Sequence, residues 1–119
     1  MLIQYINRRT EGFQIAVYDT EWKKTDIAFG RKENSADIPR PECLEELLEV
    51  AGKLSSPFSF VRVDMYVTDS GGIKFGEMTF TPSSGVHRWN DIRHDEKLGK
   101  MIKLPEKYFL PGIDYRFDR

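Results

Sequence analysis

Four polar side chains in the middle of the chain could together bind a metal ion and a phosphate group: Arg62, Asp64, Glu77 and Thr79. Mg²⁺ prefers hard oxygen ligands and is commonly held by one or two carboxylates together with substrate phosphates. An arginine adds a planar fork that suits phosphate oxygens. These residue types therefore point to phosphoryl transfer with a nucleotide–magnesium complex. The alternative is that Arg62 simply pairs with both carboxylates on a solvated surface, where ion pairs are common and weak.

A β-hairpin is predicted to bring these residues together. The runs Phe60–Thr68 and Ile73–Phe80 alternate between apolar and polar residues, and Asp69–Gly72 between them is typical of a hairpin turn. A two-residue and a four-residue loop both place Asp64 opposite Glu77, and the arginine opposite the threonine, on one face. Two facing carboxylates cost stability unless a cation or a shared proton lies between them. The apolar residues of the other face are expected to be core residues: Val61, Val63, Met65, Val67, Met78 and Phe80.

The remaining segments predict a second hairpin and two helices. Met1–Asn7 and Phe13–Asp19 are β-rich runs separated by polar residues, so we expect them to pair. Pro41–Ser55 and Asp91–Ile102 have apolar stripes at helical spacing. The fold class is therefore α+β, with a mainly antiparallel sheet that holds the central hairpin and two helices packed on its apolar face. A length of 119 residues suits one domain, 1–119.

Composition and charge exclude several classes of function. The chain is 39% apolar and 31% charged, which is typical of a globular protein in water. Its formal net charge of −1 gives no global argument for binding to nucleic acid or to an anionic membrane surface, and we expect no nucleic-acid partner. No run approaches the length of a membrane span, and no signal-peptide pattern is present. The single cysteine, Cys43, suits a reducing compartment, and we expect a cytoplasmic protein.

Three residues outside the hairpin carry weaker signals. His87 and His94 lie seven residues apart and far from Cys43, which matches no common zinc-site spacing. Both histidines are therefore expected in loops or at the surface. Trp89 follows the segment after the hairpin, where we expect it to cap the core or to line a pocket.

The spacing on the hairpin resembles the closing signature of ATP-grasp enzymes, which is Arg-x-Asp, a strand turn, then Glu-x-Asn followed by Pro. Here Glu77 follows Asp64 by thirteen residues, and Pro82 follows Thr79 by three. In that superfamily the two acids hold the magnesium ions of ATP, the asparagine completes the shell, and the arginine contacts the transferred phosphate. The resemblance implies Asp64, Glu77 and Thr79 as metal ligands, Arg62 as the catalytic phosphate contact, and Mg²⁺ and ATP as cofactors. Thr79 departs from the pattern, because a hydroxyl is a poorer metal ligand than an amide carbonyl.

A narrower resemblance, to the TupA-like ATP-grasp family, covers most of the chain. It is carried by Arg62-Val-Asp-Met-Tyr, Phe75-Gly-Glu-Met-Thr-Phe-Thr-Pro-x-Ser-Gly, Tyr18-Asp19…Trp22, Pro41 with the helix after it, and Asp95-x-x-Leu98-Gly99. That family is linked to bacterial cell-surface polymers such as teichuronopeptide and capsular polysaccharide, and its members are often labelled glycosyltransferases. The chemistry of the superfamily is ATP-dependent ligation of a carboxylate to an amine through an acyl phosphate.

The resemblance also implies which part of such an enzyme this chain represents. An ATP-grasp site lies between two α+β subdomains, and the sequence matches only the C-terminal one, beginning at Met1 directly in a strand. We therefore expect a truncated C-terminal subdomain that binds Mg²⁺ and ATP, and that needs an N-terminal half or a partner chain to complete the site. Whether the chain is an enzyme by itself stays open at this point.

The segment after the hairpin is a candidate binding site for the acceptor substrate. Ser83-Ser84-Gly85 directly follows the second strand of the hairpin, where it is either an ordinary turn or the loop that binds the acceptor, a small molecule or polymer precursor.

Two alternative functions stay open beside the ATP-grasp enzyme. One is a non-catalytic module that binds a partner chain or a polymer. The other is a glycosyltransferase that uses the same carboxylates for a nucleotide-sugar–metal complex.

Overall fold

A computed structural model of the protein describes residues 1–7, 14–28, 37–86 and 88–104. The described residues form β1 (Ile3–Asn7), β2 (Gln14–Tyr18), α1 (Leu44–Ser55), β3 (Arg62–Val67), β4 (Ile73–Thr79), a 3₁₀ turn (Pro82–Gly85) and α2 (Ile92–Met101). β1 pairs with β2 and β3 pairs with β4, both antiparallel. The α+β class, the antiparallel strands and the two helices are thus confirmed. Within the described residues, however, the strands form two separate two-stranded sheets.

Helix α1 supports the hairpin that carries the predicted site. It begins at Leu44, later than the predicted Pro41, because the residues before it form a turn. Two acidic residues in its first turn and Lys53 in its last turn complement the helix dipole. Leu44 is almost fully buried, and the helix packs against β3.

Helix α2 lies within one residue of its predicted bounds at each end. Asp91 is its N-cap, and the side-chain carboxylate accepts a hydrogen bond from the backbone N–H of Arg93 at 2.9 Å. His94 in its first turn is only 8% exposed, so the prediction of a surface histidine is wrong for this residue. Within that turn it is His94, and not its exposed neighbours Ile92 and Arg93, that is shielded from water. His87 lies outside the described residues.

The core lies around β2 rather than around the central hairpin. Its buried apolar residues are Ala16, Val17, Tyr18, Ile27, Ala28 and Leu44. Trp22 stacks on Tyr18 with ring centroids 4.4 Å apart, and its indole N–H donates to the carbonyl of Ile38 at 2.9 Å. The predicted core face of the central hairpin is only half-buried on β3 at Val63 and Met65. At the edge of that face the ring of Phe80 remains 54% exposed.

Asn90 ties the segment after the 3₁₀ turn to this core. Its backbone N–H donates to the carbonyl of Ala28 at 2.9 Å, and its side-chain carbonyl accepts from the N–H of Ala28 at 3.0 Å. Its side-chain amide also donates to the carbonyl of Asp26 at 3.1 Å. These three hydrogen bonds join parts of the chain that are more than sixty residues apart. They hold the segment before α2 against the segment that contains Asp26 and Ala28.

Among the residues that the structure describes, no helix has the length and apolar character required to cross a bilayer.

Candidate functional site

The hairpin β3–β4 brings the predicted site residues into the predicted register. Asp64 pairs with Glu77, and Arg62 pairs with Thr79. Residues that face each other across an antiparallel pair project from the same side of the sheet. All four side chains therefore lie on one face of the hairpin.

The turn of this hairpin has neither of the two predicted lengths. The N–H of Gly71 donates to the carbonyl of Thr68 at 2.9 Å, and the N–H of Thr68 donates to the carbonyl of Gly72 at 2.8 Å. These bonds close a three-residue loop, 69–71, whose last residue has a left-handed φ of 80°. Glycine suits that position because it has no Cβ to clash there.

A β-bulge at Gly76 restores the register at the site. Met65 pairs with Phe75 while Asp64 pairs with Glu77, so Gly76 is an extra residue on β4. A Cβ at this position would lie 2.9 Å from the backbone oxygen of Asp64 and 2.8 Å from a ring carbon of Tyr66. Only glycine fits without a shift of the backbone beside the carboxylate pair.

The sequence held a signal for this bulge that the regular hairpin prediction missed. Apolar residues alternate as Ile73 and Phe75, and then as Met78 and Phe80, with a change of phase at Gly76. An isolated glycine inside a strand pattern commonly marks a bulge. The extra residue lets the apolar residues on both sides of it share one face of the sheet.

Arg62 lies between the two carboxylates and contacts both. Its Nε and Nη2 atoms donate to the two carboxylate oxygens of Asp64, each at 2.8 Å, and Nη2 also donates to Oε1 of Glu77 at 3.1 Å. The hydroxyl of Thr79 donates to the same Glu77 oxygen at 3.1 Å. All four predicted residues thus form one hydrogen-bonded cluster.

The cluster is only partly shielded from water. Exposed fractions are 38% for the Arg62 side chain, 34% for Asp64 and 64% for Glu77. The hydrogen bonds that Arg62 donates to Asp64 raise the pKa of the Arg62 guanidinium, with a smaller contribution from the charge of Glu77, while burial acts in the opposite direction. The arginine stays charged throughout the accessible pH range, so one fixed cation compensates two carboxylates.

The donor set fits a divalent cation in one specific respect. One guanidinium nitrogen lies within hydrogen-bond distance of oxygens from both Asp64 and Glu77, so the two carboxylates converge on a single cationic position. Mg²⁺ is commonly held by two carboxylates, with waters and substrate phosphates as the other ligands. In the part of the chain that the structure describes, no group of three or more His, Cys, Asp or Glu side chains could hold a metal by itself. Arg62 would have to move for a metal to take this position.

The predicted acceptor loop has an uncommon backbone. Ser83, Ser84 and Gly85 have consecutive left-handed φ angles of 52°, 55° and 71°. Non-glycine residues rarely adopt this conformation, and such residues cluster at ligand-binding segments. The two serines are exposed directly after the strand that carries the carboxylate of Glu77.

A cleft of about 480 Å³ follows this loop in the chain. It is lined by Arg88, Trp89, Ile92 and Asp95, and it lies at the start of α2. Of the two predicted positions for Trp89, capping the core or lining a pocket, the structure shows the second. Arg88 was not predicted as a site residue, because a lone charged residue in a loop carries no pattern. Asp95 entered the prediction only as part of the family resemblance, within the predicted second helix.

Comparison with known families assigns the chain. A model of the TupA-like ATPgrasp family matches residues 1–103, which include all four clustered residues and the loop after them. The chain belongs to the TupA-like ATP-grasp family. Comparisons with curated proteins and with solved structures found no match. Membership of an ATP-grasp family implies, in general, binding of ATP and a divalent metal ion.

Proposed function

We propose that this TupA-like ATP-grasp protein is the Mg²⁺- and ATP-binding C-terminal part of an ATP-dependent ligase-type enzyme in bacterial cell-surface polysaccharide or teichuronopeptide synthesis. One observation carries the proposal. The carboxylates of Asp64 and Glu77 converge on a single cationic nitrogen, at 2.8 and 3.1 Å, on an open sheet face. Two carboxylates that share one cationic position are a ligand set that Mg²⁺ commonly uses.

Each residue of the cluster has a separate role in this proposal. Asp64 and Glu77 bind the metal, and the hydroxyl of Thr79 orients Glu77 through its hydrogen bond at 3.1 Å. Bound Mg²⁺ supplies charge neutralisation for the transferred phosphoryl group. Arg62 leaves Asp64 and contacts the transferred phosphate instead. The ion pair can be exchanged in this way because more than a third of the arginine is exposed, which makes the pair weak.

The acceptor side of the site is assigned to the segment after β4. Ser83 and Ser84 offer exposed hydroxyl groups shortly after the metal-binding strand, and Gly85 completes the turn. The cleft that begins at Arg88 adds one cation, the carboxylate of Asp95 and the indole ring of Trp89. A small molecule or polymer precursor with polar or charged groups and an apolar or ring-shaped part suits this combination.

The openness of the hairpin face supports the need for a further covering element. Glu77 keeps 64% of its side chain exposed, so the cluster alone does not exclude water from a bound phosphate. Phosphoryl transfer depends mainly on positioning and on electrostatic stabilisation in a closed site. We therefore propose that an N-terminal half or a partner chain covers the nucleotide during turnover.

The decisive experiment is titration of the protein with Mg²⁺ and ATP, followed by NMR chemical shifts. We expect shifts centred on Asp64 and Glu77, and we expect them to vanish in the double variant Asp64→Asn and Glu77→Gln. The matched control is Glu46→Gln with Glu96→Gln, which removes the same charge from exposed helix positions. The control should bind like the natural chain. Absence of any shift at millimolar Mg–ATP would show that the chain has no working metal site.

One observation favours the non-catalytic alternative. Arg62 already satisfies both carboxylates, so the cluster is a complete surface ion-pair group without any metal. A module that only binds a partner chain or a polymer would keep this arrangement. In that case the double substitution should change only the free energy of unfolding, by about 1 kcal/mol or less, and Mg–ATP should cause no shifts.

A further inference from the structure

The bulge at Gly76 changes which residue of β4 accompanies the carboxylates. In a hairpin without a bulge, Lys74 would project from the face opposite Glu77, because alternate residues share a face. In the structure Lys74 pairs with Tyr66. Tyr66 projects from the same side of β3 as Arg62 and Asp64, since it lies at the next alternate position. Lys74 therefore lies on the carboxylate face, at the side nearer the turn.

The charge of Lys74 is not used by the carboxylate cluster. Within the described residues, no carboxylate oxygen lies within ion-pair distance of the Lys74 ammonium group, and the side chain is exposed. Arg62 already occupies Asp64 and Glu77. Lys74 is thus a second cation on the face of the site, without an ion-pair partner among the described residues.

We propose that Lys74 forms a second cationic contact to the phosphate groups of the bound nucleotide. This inference rests on the proposed function of the site. The pair formed by Tyr66 and Lys74 is the next same-face pair after the two carboxylates, and Tyr66 lies two residues from Asp64 on β3. Two residues of a strand span about 7 Å, and a long lysine side chain covers much of that separation.

The electrostatics of the face agree with a polyanionic ligand. Without Lys74, a divalent metal and Arg62 together only modestly outweigh the two carboxylates. With Lys74, the loaded face carries a clear excess of positive charge along its length, which complements a chain of phosphates better than a single phosphate. Charge-assisted hydrogen bonds to phosphate are stronger than neutral ones.

The glycine at the bulge is what makes this placement possible. A side chain at position 76 would meet the backbone of Asp64 and the ring of Tyr66, so only glycine allows the extra residue to be accommodated there.

Cross-strand NMR contacts test directly whether Lys74 lies on the carboxylate face. Contacts between Tyr66 and Lys74 support it, whereas contacts between Val67 and Lys74 would show the unbulged register and overturn the inference.

Binding measurements test the role. In Lys74→Met we expect Mg–ATP affinity to fall about tenfold, the loss of one charge-assisted contact. Lys74→Arg should stay within about twofold of the natural chain because the charge is retained. Lys97→Met, an exposed lysine on α2, is the matched control and should bind normally. Mg–tripolyphosphate, which has phosphates but no base, should lose affinity by the same factor as Mg–ATP.

The outcomes separate this inference from the proposed function. Normal binding by Lys74→Met, together with loss of binding in the Asp64→Asn and Glu77→Gln variant, would overturn the lysine contact and leave the metal site standing. Loss of Mg–ATP affinity without loss of Mg–tripolyphosphate affinity would also overturn it. No binding by the natural chain would overturn both.

Discussion

Replacing Arg62 with methionine should have opposite effects on the binding of free Mg²⁺ and of Mg–ATP. The arginine holds both carboxylates when no metal is bound, so a metal ion must displace it. The same arginine is proposed to contact the transferred phosphate once the nucleotide is present. Removal of the guanidinium therefore removes a competitor in one case and a ligand contact in the other.

The magnitude follows from the exposure of the cluster. Exposed ion pairs contribute about 0.2–1 kcal/mol, and a bidentate pair lies at the upper end of that range. With Arg62 and Asp64 each about a third exposed and Glu77 more so, the arginine contacts together are expected to be worth about 1 kcal/mol. Free Mg²⁺ should bind about fivefold more tightly to Arg62→Met.

Mg–ATP should respond in the other direction. A hydrogen bond to a charged group contributes about 1.5–3 kcal/mol, which exceeds the roughly 1 kcal/mol recovered by releasing the arginine. The net result is an affinity about two- to thirtyfold weaker.

Both affinities can be measured by the same NMR titration, with Mn²⁺ broadening of the signals near Asp64 and Glu77 as an independent readout. Arg93→Met is the matched control, because Arg93 pairs with the carboxylate of Asp91 on α2, in a separate ion pair. This control should leave both affinities unchanged. Unchanged or weaker binding of free Mg²⁺ to Arg62→Met would refute the competition, and tighter binding of Mg–ATP would refute the phosphate contact.

Three further predictions concern the elements that position the site. In urea unfolding, Gly76→Ala should lower the free energy of unfolding by about 2–3 kcal/mol, because the methyl group meets the backbone of Asp64. The control Gly99→Ala, with open space around the new methyl group, should instead raise the free energy of unfolding by about 0.5–1 kcal/mol. A mild effect at Gly76 would argue against the bulge. Ser84→Gly should stabilise by about 0.5–1 kcal/mol by relieving the left-handed φ of 55°, and a loss of stability in the same assay would show that the loop is not strained. Hydrogen bonds from Arg93 lower the pKa of Asp91 from 3.8 to about 2, so its stabilising contribution is present above about pH 4 and is lost as the pH falls towards 2. Asp91→Asn keeps the N-cap but should remove this loss of stability between about pH 4 and pH 2. Equal dependence of the free energy of unfolding on pH in the variant and in the natural chain would contradict the lowered pKa of Asp91.

Local pattern predicted the two strands of the central hairpin. Alternation of apolar and polar residues on both sides of Asp69–Gly72 also gave the observed partner of Asp64, which is Glu77. The apolar stripe over Asp91–Ile102 located both ends of α2 to within one residue, because helical spacing is a pattern of near neighbours in the chain. These features depend on neighbours in the chain and are therefore readable from it.

Two opposite errors in the hairpin cancelled at the site. The three-residue turn shifts the register by one residue, and the extra residue at Gly76 shifts it back. Every pair between these two features was therefore predicted one position out, including the pair that contains Lys74. A turn length is decided by small differences in backbone energy, which turn composition alone does not resolve.

The sequence by itself determined the chemistry of the site: an arginine, two carboxylates and a hydroxyl on one sheet face, in the spacing of the TupA-like ATP-grasp family. Only the tertiary structure decided that Arg62 bridges both acids, that Lys74 joins their face, and that His94 is buried. The physical reason is the range of the interactions. Alternation and helical periodicity act within a few residues, whereas a bridging side chain, a bulge against the Tyr66 ring and the burial of His94 depend on groups brought close by the fold.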